Sequence, residues 1–388
     1  MPPFHAKCHS IIDSVLDRII PHHLSRMAQK YDKELRIAEL AVQKAAMLTK
    51  AVLTSTDRDV LEKEDKSPVT AADLGAQALI IGALHGAFPN DDFVGEESAK
   101  LLRDNPLLSK HVWSIVNSTH LEDGDAEELL ASPKSEAEML DLIDLGGNGQ
   151  GGRHGRIWIL DPIDGTAAYM RNQQYVVCLC LIVDGEQAVG VLACPNMSLD
   201  SEMVSENSIV NEGNGYLLSA VKDQGSFIRP LTWGKLNEPS PVKLERPMPV
   251  LKDLRFVEDL TTGSMNHEKH KRVAEKLGAR WPGTDVWSIQ FKYVALAVGG
   301  HDAVIRIPNR DWHRTCVWDH AGGHLIYEEA GGKVTDMNGK KIDFGAGRRC
   351  YFNIGNLLAC GYARTDRCKC IKAFARCPLI PFKLEIPS

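Results

Sequence analysis

Long hydrophobic runs are missing from this chain of 388 residues. No stretch approaches the roughly 20 apolar residues that a membrane-spanning helix needs, so a membrane partner is not expected. A secretory apolar core near the start is missing too. Cysteine is scarce: of ten, five fall before residue 320 and five between 350 and 377. That density is too low for a disulfide scaffold and favours a reducing, intracellular compartment. Cys368 and Cys370 lack the second Cys or His pair that zinc requires. No basic stripe runs through the body and the net charge is −6, so nucleic acid is not the expected partner.

What is present is the composition of a globular protein, 44% hydrophobic and 25% charged. The length suits two domains or one large layered domain. Residues 1–29 stand apart as an N-terminal extension. Ile11, Ile12, Val15, Leu16, Ile19 and Ile20 have helical spacing, broken at Pro21. Lys7, Arg18 and Arg26 would suit a mitochondrial presequence, but Asp13 and Asp17 argue against one. A cytoplasmic protein is expected, mitochondrial only if residues 1–26 act as a presequence.

From about 30 to 56, Leu35, Ala38, Val42, Ala45 and Val52 share a helical face. A second helix carries Leu74, Ala78, Ile81, Leu84 and Phe88 on one side. "DDFVGEES" reads as a short strand ending in acids. Residues 99–156 are polar, weakly periodic and close in "GGNGQGGRHGR", which predicts a surface insertion. Strands are expected at 157–160, 175–183 and 187–193, with Asp184-Gly185 as a hairpin turn. Within the second of these, period-2 spacing puts Cys178 and Cys180 on one face as small buried hydrophobes. Further strands are expected at "GNGYLLSA", "GSFIRP", 254–259 and 302–307, and helices at 264–277, 288–298 and 319–330. "KVTDMNGKKIDF" reads as a hairpin around Asn338-Gly339. Such alternation favours a layered α/β or α+β architecture.

Acids collect at element ends: Asp73 in "TAAD", Glu96 and Glu97 in "GEES", Asp161 and Asp164 in "DPIDGT", and Asp319 in "WDHAGG". Each alone has a plainer reading. Thr70 to Asp73 is a capping-box pattern, and Asp319 suits the positive end of a helix. "DPIDGT" is harder to set aside. Pro162 fixes its own φ and restricts Asp161, while Gly165 permits turns closed to other residues. The amides of Gly165, Thr166 and Ala167 could then form an anion nest. Two hard carboxylates beside such a nest suit a divalent hard cation and a phosphate. Two or more metals would turn the repulsion among carboxylates into a clamp for phosphoryl transfer to water.

"GEES", "DPIDGT" and "WDHAGG", in this order, resemble the magnesium-dependent, lithium-sensitive phosphatases of the inositol monophosphatase superfamily. The resemblance covers roughly residues 30 to 355, leaving 356–388 as an atypical tail. It implies a layered α-β-α-β-α sandwich. By motif it implies two or three magnesium ions held by Glu96, Asp161, Asp164, Asp319, Asp73 and the carbonyl of Ile163, with Glu97 the lesser candidate of its pair. It implies that Asp73 also holds the metal's water and that Thr166, beside it, helps orient or deprotonate the attacking water.

Within the superfamily, "AVQKAAMLTK", "DKSPVTAADLGAQALI" and "KYVALAVGGHDAVIRIP" look most like fungal bisphosphate nucleotidases. These take the 3′-phosphate from adenosine 3′,5′-bisphosphate, giving AMP, and act on its 5′-phosphosulfate relative in sulfate assimilation. A second phosphate needs its own cation. Lys292 and Arg306 are candidates, since a lone Arg among apolar neighbours calls for a partner. The resemblance adds His267 and places Gly165, Thr166 and residue 289 at the substrate. There are departures. The usual Lys-Gly-Phe reads Ala167, Ala168, Tyr169, and the usual Asp-Ser pair reads Ser288-Ile289, so a contacting hydroxyl becomes an apolar Ile. An inositol phosphatase and a non-catalytic nucleotide-binding regulator are the alternatives. A monomer or homodimer is expected.

Overall fold

The computed structural model describes residues 30–54, 60–63, 68–244, 250–263, 265–309, 314–350 and, as backbone, 356–360. The expectations for 1–29 and for the tail beyond 360 lie outside the described residues. In chain order the helices are α1 (Asp32–Thr54), α2 (Ala71–Ala87), α3 (Lys100–Asp104), α4 (Pro106–Ser118), α5 (Gly124–Glu127), α6 (Glu136–Gly147), α7 (Thr166–Tyr169), α8 (His267–Leu277), α9 (Ile289–Ala297) and α10 (Ala321–Glu329). Strands β1 (Val60–Glu62) and β2 (Pro68–Thr70) form a small antiparallel pair. The principal sheet has seven strands in sequential order: β3 (Asp92–Gly95), β4 (Arg156–Asp164), β5 (Val176–Val183), β6 (Glu186–Cys194), β7 (Tyr216–Val221), β8 (Gly225–Pro230) and β9 (Ser240–Val242). Only β3 and β4 run parallel; the other neighbours are antiparallel. Asp184 (φ 49°) and Gly185 (φ 83°) make the expected tight turn between β5 and β6. Beyond lie a parallel pair, β10 (Val257–Glu258) with β11 (Thr284–Asp285), and a sheet in which β14 (Asn356–Cys360) sits between β12 (Ala303–Ile305) and β13 (Lys333–Asp336).

Alternation along the strands builds the layers. Trp158 and Leu160 of β4 face one core with α1, α2, α4 and α6, whereas Ile157 and Ile159 face a second with α9 and α10. In β12, Val304 joins that second core, while Ala303 and Ile305 meet Val273 and Ala274 of α8 in a third. Three cores join five layers into the α-β-α-β-α sandwich, the second core covering both faces of the α9–α10 layer. Helix α2 is buried along almost its whole length, as befits a helix packed on all sides. Trp158, fully buried, donates its indole N–H to Asp91 at 2.9 Å; burying such a side chain contributes about 2–3 kcal/mol. Cys178 and Cys180 are both buried, as their spacing predicts.

Three expectations change. Residues 99–156 are not a loose surface insertion. Leu108, Val112, Val116, Met139 and Ile143 place one stripe each of α4 and α6 in the first core, and the short stripe is diluted by the polar residues of the outer faces. The glycine stretch is held by Arg348, which donates to the carbonyl of Gly149 at 2.8 Å. Second, Asn338-Gly339 makes a turn but no hairpin: β13 pairs with β14. Asp336 satisfies the turn instead, accepting from the amides of Asn338 and Lys340, each at 2.8 Å. Third, 356–360 is the central strand of its sheet, so a tail beginning at 356 starts too early.

Candidate active site

Two aspartates three residues apart on a regular strand point to opposite faces. Here they do not. Asp161 pairs with Cys178 and Asp164 with Val176, so three steps on β4 match two on β5. The extra residue is a bulge at Pro162-Ile163, the one kind of place inside a sheet where proline fits. It returns Asp164 to the face of Asp161. Asp319, just before α10, completes a cluster whose ligand atoms all lie within 4.8 Å of one another. Helix α10 comes this near because Gly322 lies against β5; a Cβ there would stand 3.1 Å from the carbonyl oxygen of Leu179.

The remaining predicted residues converge on this point. Thr70 caps α2 and donates its amide (2.8 Å) and hydroxyl (2.6 Å) to one oxygen of Asp73. The capping box is therefore real, and it leaves the other oxygen of Asp73 facing the Thr166 hydroxyl at 3.4 Å. That hydroxyl also reaches the carbonyl of Ile163 at 3.1 Å. Gly165, at φ 95°, turns the chain into α7, a conformation open to glycine at little cost. Glu96 raises the pKa of Asp73, Asp161, Asp164 and Asp319, so it acts on the whole group. Lys63, which the sequence reading passed over inside an acidic stretch, bridges Glu96 at 2.7 Å and the buried Glu97 at 2.5 Å.

Asp164 is held from α9: the amide of Gln290 donates at 2.6 Å and the Ser288 hydroxyl donates as well. Ser288 thus serves a carboxylate rather than a ligand, a role its position before a helix did not reveal. Ile289 is half-buried against the second core. Tyr169, one of the departures, points away from the site, its hydroxyl donating to the carbonyl of Thr49 at 2.8 Å. Lys292 is buried, its ammonium donating to the carbonyls of Trp287 (3.2 Å) and Ser288 (3.5 Å). Burial, then Arg306, pushes it down to about 8. Arg306 carries a buried Nη1 without a partner among the described residues, and His267 a buried Nδ1. The amide of Asn266 donates to the carbonyl of Ile307 at 2.8 Å, which ties the start of α8 to the segment that carries Arg306.

Burial is the largest cause of the acid shifts, with neighbouring carboxylates adding to it. Asp73 is pushed up to about 7, Asp164 to about 6, Asp319 to about 7, and Asp161 well above its ordinary value. All-oxygen donors, largely buried and mutually repelling, fit a hard divalent cation. A pH dependence follows. The folded protein holds protons that the unfolded chain has released, so metal-free stability falls as pH rises through these values. Buried His301 and His324, held low by desolvation, act oppositely only below about 6.5. The melting temperature of chelator-treated protein is therefore expected to fall between about pH 6.5 and 8, and a divalent cation should restore it at the upper end. Thermal melts with and without metal check this; a flat profile in chelator would contradict it.

The inositol monophosphatase family model matches residues 30–366. This chain belongs to the inositol monophosphatase family. It is 43% identical over 335 residues to the 3'(2'),5'-bisphosphate nucleotidase of Emericella nidulans, covering 85% of this chain and 94% of that protein. It is 40% identical over 334 residues to the enzyme of the same name in Schizosaccharomyces pombe, with 85% and 92% covered. The extragenic suppressor protein suhB of Bartonella henselae shares the fold, with a TM-score of 0.54 at 18% identity over 89% of this chain and 99% of that one. An IMPase of Thermotoga maritima does so with a TM-score of 0.52 at 19% identity, covering 88% and 96%. No helix among the described residues is long and apolar enough to cross a membrane.

Proposed function

We propose that this family member removes the 3′-phosphate of adenosine 3′,5′-bisphosphate, giving AMP and phosphate, uses magnesium, and accepts the 5′-phosphosulfate relative. The carrying observation is the pairing of an acid cluster (Asp161, Asp164, Asp319) with a separate set of buried nitrogens on Lys292, Arg306 and His267. The first set suits cations that bind the scissile phosphate; the second suits another anion. The names of the nucleotidase relatives support the same substrate.

Glu96, Asp161, Asp164, Asp319, Asp73 and the Ile163 carbonyl would hold two or three ions. Bound there, the ions would supply polarisation of the phosphate and a more acidic attacking water. The protein does the rest. Asp73 has one oxygen pinned by Thr70, so the other is fixed to accept the proton of that water. Thr166 holds a hydroxyl beside it, 3.4 Å from Asp73, to orient the water. Gly165 sets the turn that brings Thr166 there. Lys292, Arg306 and His267 bind the remote phosphate, and Ile289 offers an apolar wall to the nucleoside. A place in sulfate assimilation and sensitivity to lithium belong to the same proposal. The catalytic region starts at residue 30 in this reading.

Phosphate release with magnesium, comparing adenosine 3′,5′-bisphosphate with inositol 1,4-bisphosphate, tests it. The nucleotide is expected to be preferred. Preference for the inositol ester would mean that Ser288 and Ile289 belong to a rebuilt pocket. Tight nucleotide binding without turnover would make the protein a binding regulator.

A further inference from the structure

We propose that Tyr293, His320 and Thr315 form a directional hydrogen-bond relay that positions Asp319 for the divalent cation, and that Thr315 is its decisive member. The inference rests on the metal reading of the acid cluster.

The three links are short and buried. The Thr315 hydroxyl lies 3.2 Å from Oδ2 of Asp319. The same hydroxyl lies 2.7 Å from Nε2 of His320. Nδ1 of His320 lies 2.9 Å from the Tyr293 hydroxyl. Thr315, His320 and Tyr293 are 6%, 1% and 1% exposed, so water does not compete for these bonds. The Tyr293 and His320 rings meet edge to face, with centroids 6.0 Å apart.

Proton counting sets the direction. A metal-binding carboxylate only accepts, so the single hydroxyl proton of Thr315 goes to Asp319. Thr315 must then accept from His320, which places that ring's proton on Nε2. Nδ1 becomes an acceptor, and the Tyr293 hydroxyl donates to it. Each proton has one place, and every dipole points at Asp319. Among the described residues Thr315 is the one hydrogen-bond donor to Asp319, whereas Asp164 has two donors and Asp161 accepts the Ile163 amide. Asp319 therefore depends on the relay for its orientation. The anchor is firm: the amide of Cys350 donates to the Thr315 carbonyl at 3.1 Å, and that of Val317 to the Arg348 carbonyl at 3.0 Å. The relay begins on α9 beside Lys292, so it joins the helix of the second anion site to the cation site.

Outer partners of metal ligands are worth about 10- to 100-fold in metal affinity. Thr315→Val keeps the shape and removes the donor. Magnesium or manganese binding to chelator-treated protein, measured by calorimetry, is expected to weaken by about that factor. Thr315→Ser should restore it to within about threefold, because the hydroxyl returns. Tyr293→Phe, which removes only the far link, should weaken binding by a smaller factor. The metal concentration giving half-maximal phosphate release should shift in parallel, with the limiting rate changed less. Wild-type metal affinity in a folded Thr315→Val protein would overturn the relay alone. A wild-type protein that binds no divalent cation would bring down the metal reading itself.

Discussion

Asp161→Asn is expected to abolish phosphate release while raising the melting temperature of the metal-free protein at pH 8. The two effects share one cause. Asp161 is 2% exposed and sits with Asp164 and Asp319 inside 4.8 Å. Two full charges at that separation repel by roughly 3 kcal/mol at an effective dielectric constant of about 20. Asparagine is nearly the same shape, and its side-chain oxygen can still accept the Ile163 amide, which lies 3.0 Å from Asp161. It removes the charge and the repulsion together. Without metal this relieves strain. If Asp161 holds metal as proposed, the substitution also removes a ligand, where charge stabilisation is worth several kcal/mol, or about a thousandfold in rate. Turnover and melts with and without magnesium check both effects. Activity within about tenfold of wild type would remove Asp161 from the metal set. A fall in metal-free melting temperature would mean that Asp161 stabilises the fold on its own account.

The same cluster shows what the sequence made legible. The carboxylates were visible because acids at the ends of apolar runs are costly unless something uses them. Their convergence was not. Reading β4 as 157–160 ended the strand before the bulge, although Pro162 within a strand pattern signals one. Lys63 was hidden because a lysine among glutamates usually marks a solvated stretch. Ser288 reaches Asp164 and Tyr293 reaches His320 across segments far apart in sequence, and no periodicity encodes such a pair. The helices of 100–147 were missed for another reason. A narrow apolar stripe under a polar face reads as loop when the helices are short. The layered architecture survived these gaps because alternation along β4, β5 and β6 is set by burial on both faces.

Lys292→Met is the second large effect, and it falls on one substrate class. Among the described residues no carboxylate forms an ion pair with the buried Lys292 ammonium, and burial, then Arg306, pushes it down to about 8. A depressed lysine destabilises the fold most fully below that value, and the penalty fades as pH rises toward the unfolded value of about 10.4. Methionine keeps the stem and drops the charge, so the variant should melt higher at neutral pH. The remote phosphate of a bisphosphate would lose a charge-assisted hydrogen bond worth about 1.5–3 kcal/mol. That predicts a drop in kcat/KM of about 10- to 100-fold on adenosine 3′,5′-bisphosphate. Adenosine 3′-monophosphate, lacking that phosphate, should change by no more than about threefold. In the wild type, KM for the bisphosphate should rise as pH passes about 8 and the ammonium empties. The variant should lose this pH dependence. Equal losses on both substrates would mean that Lys292 supports Asp164 and the cation site rather than a second phosphate.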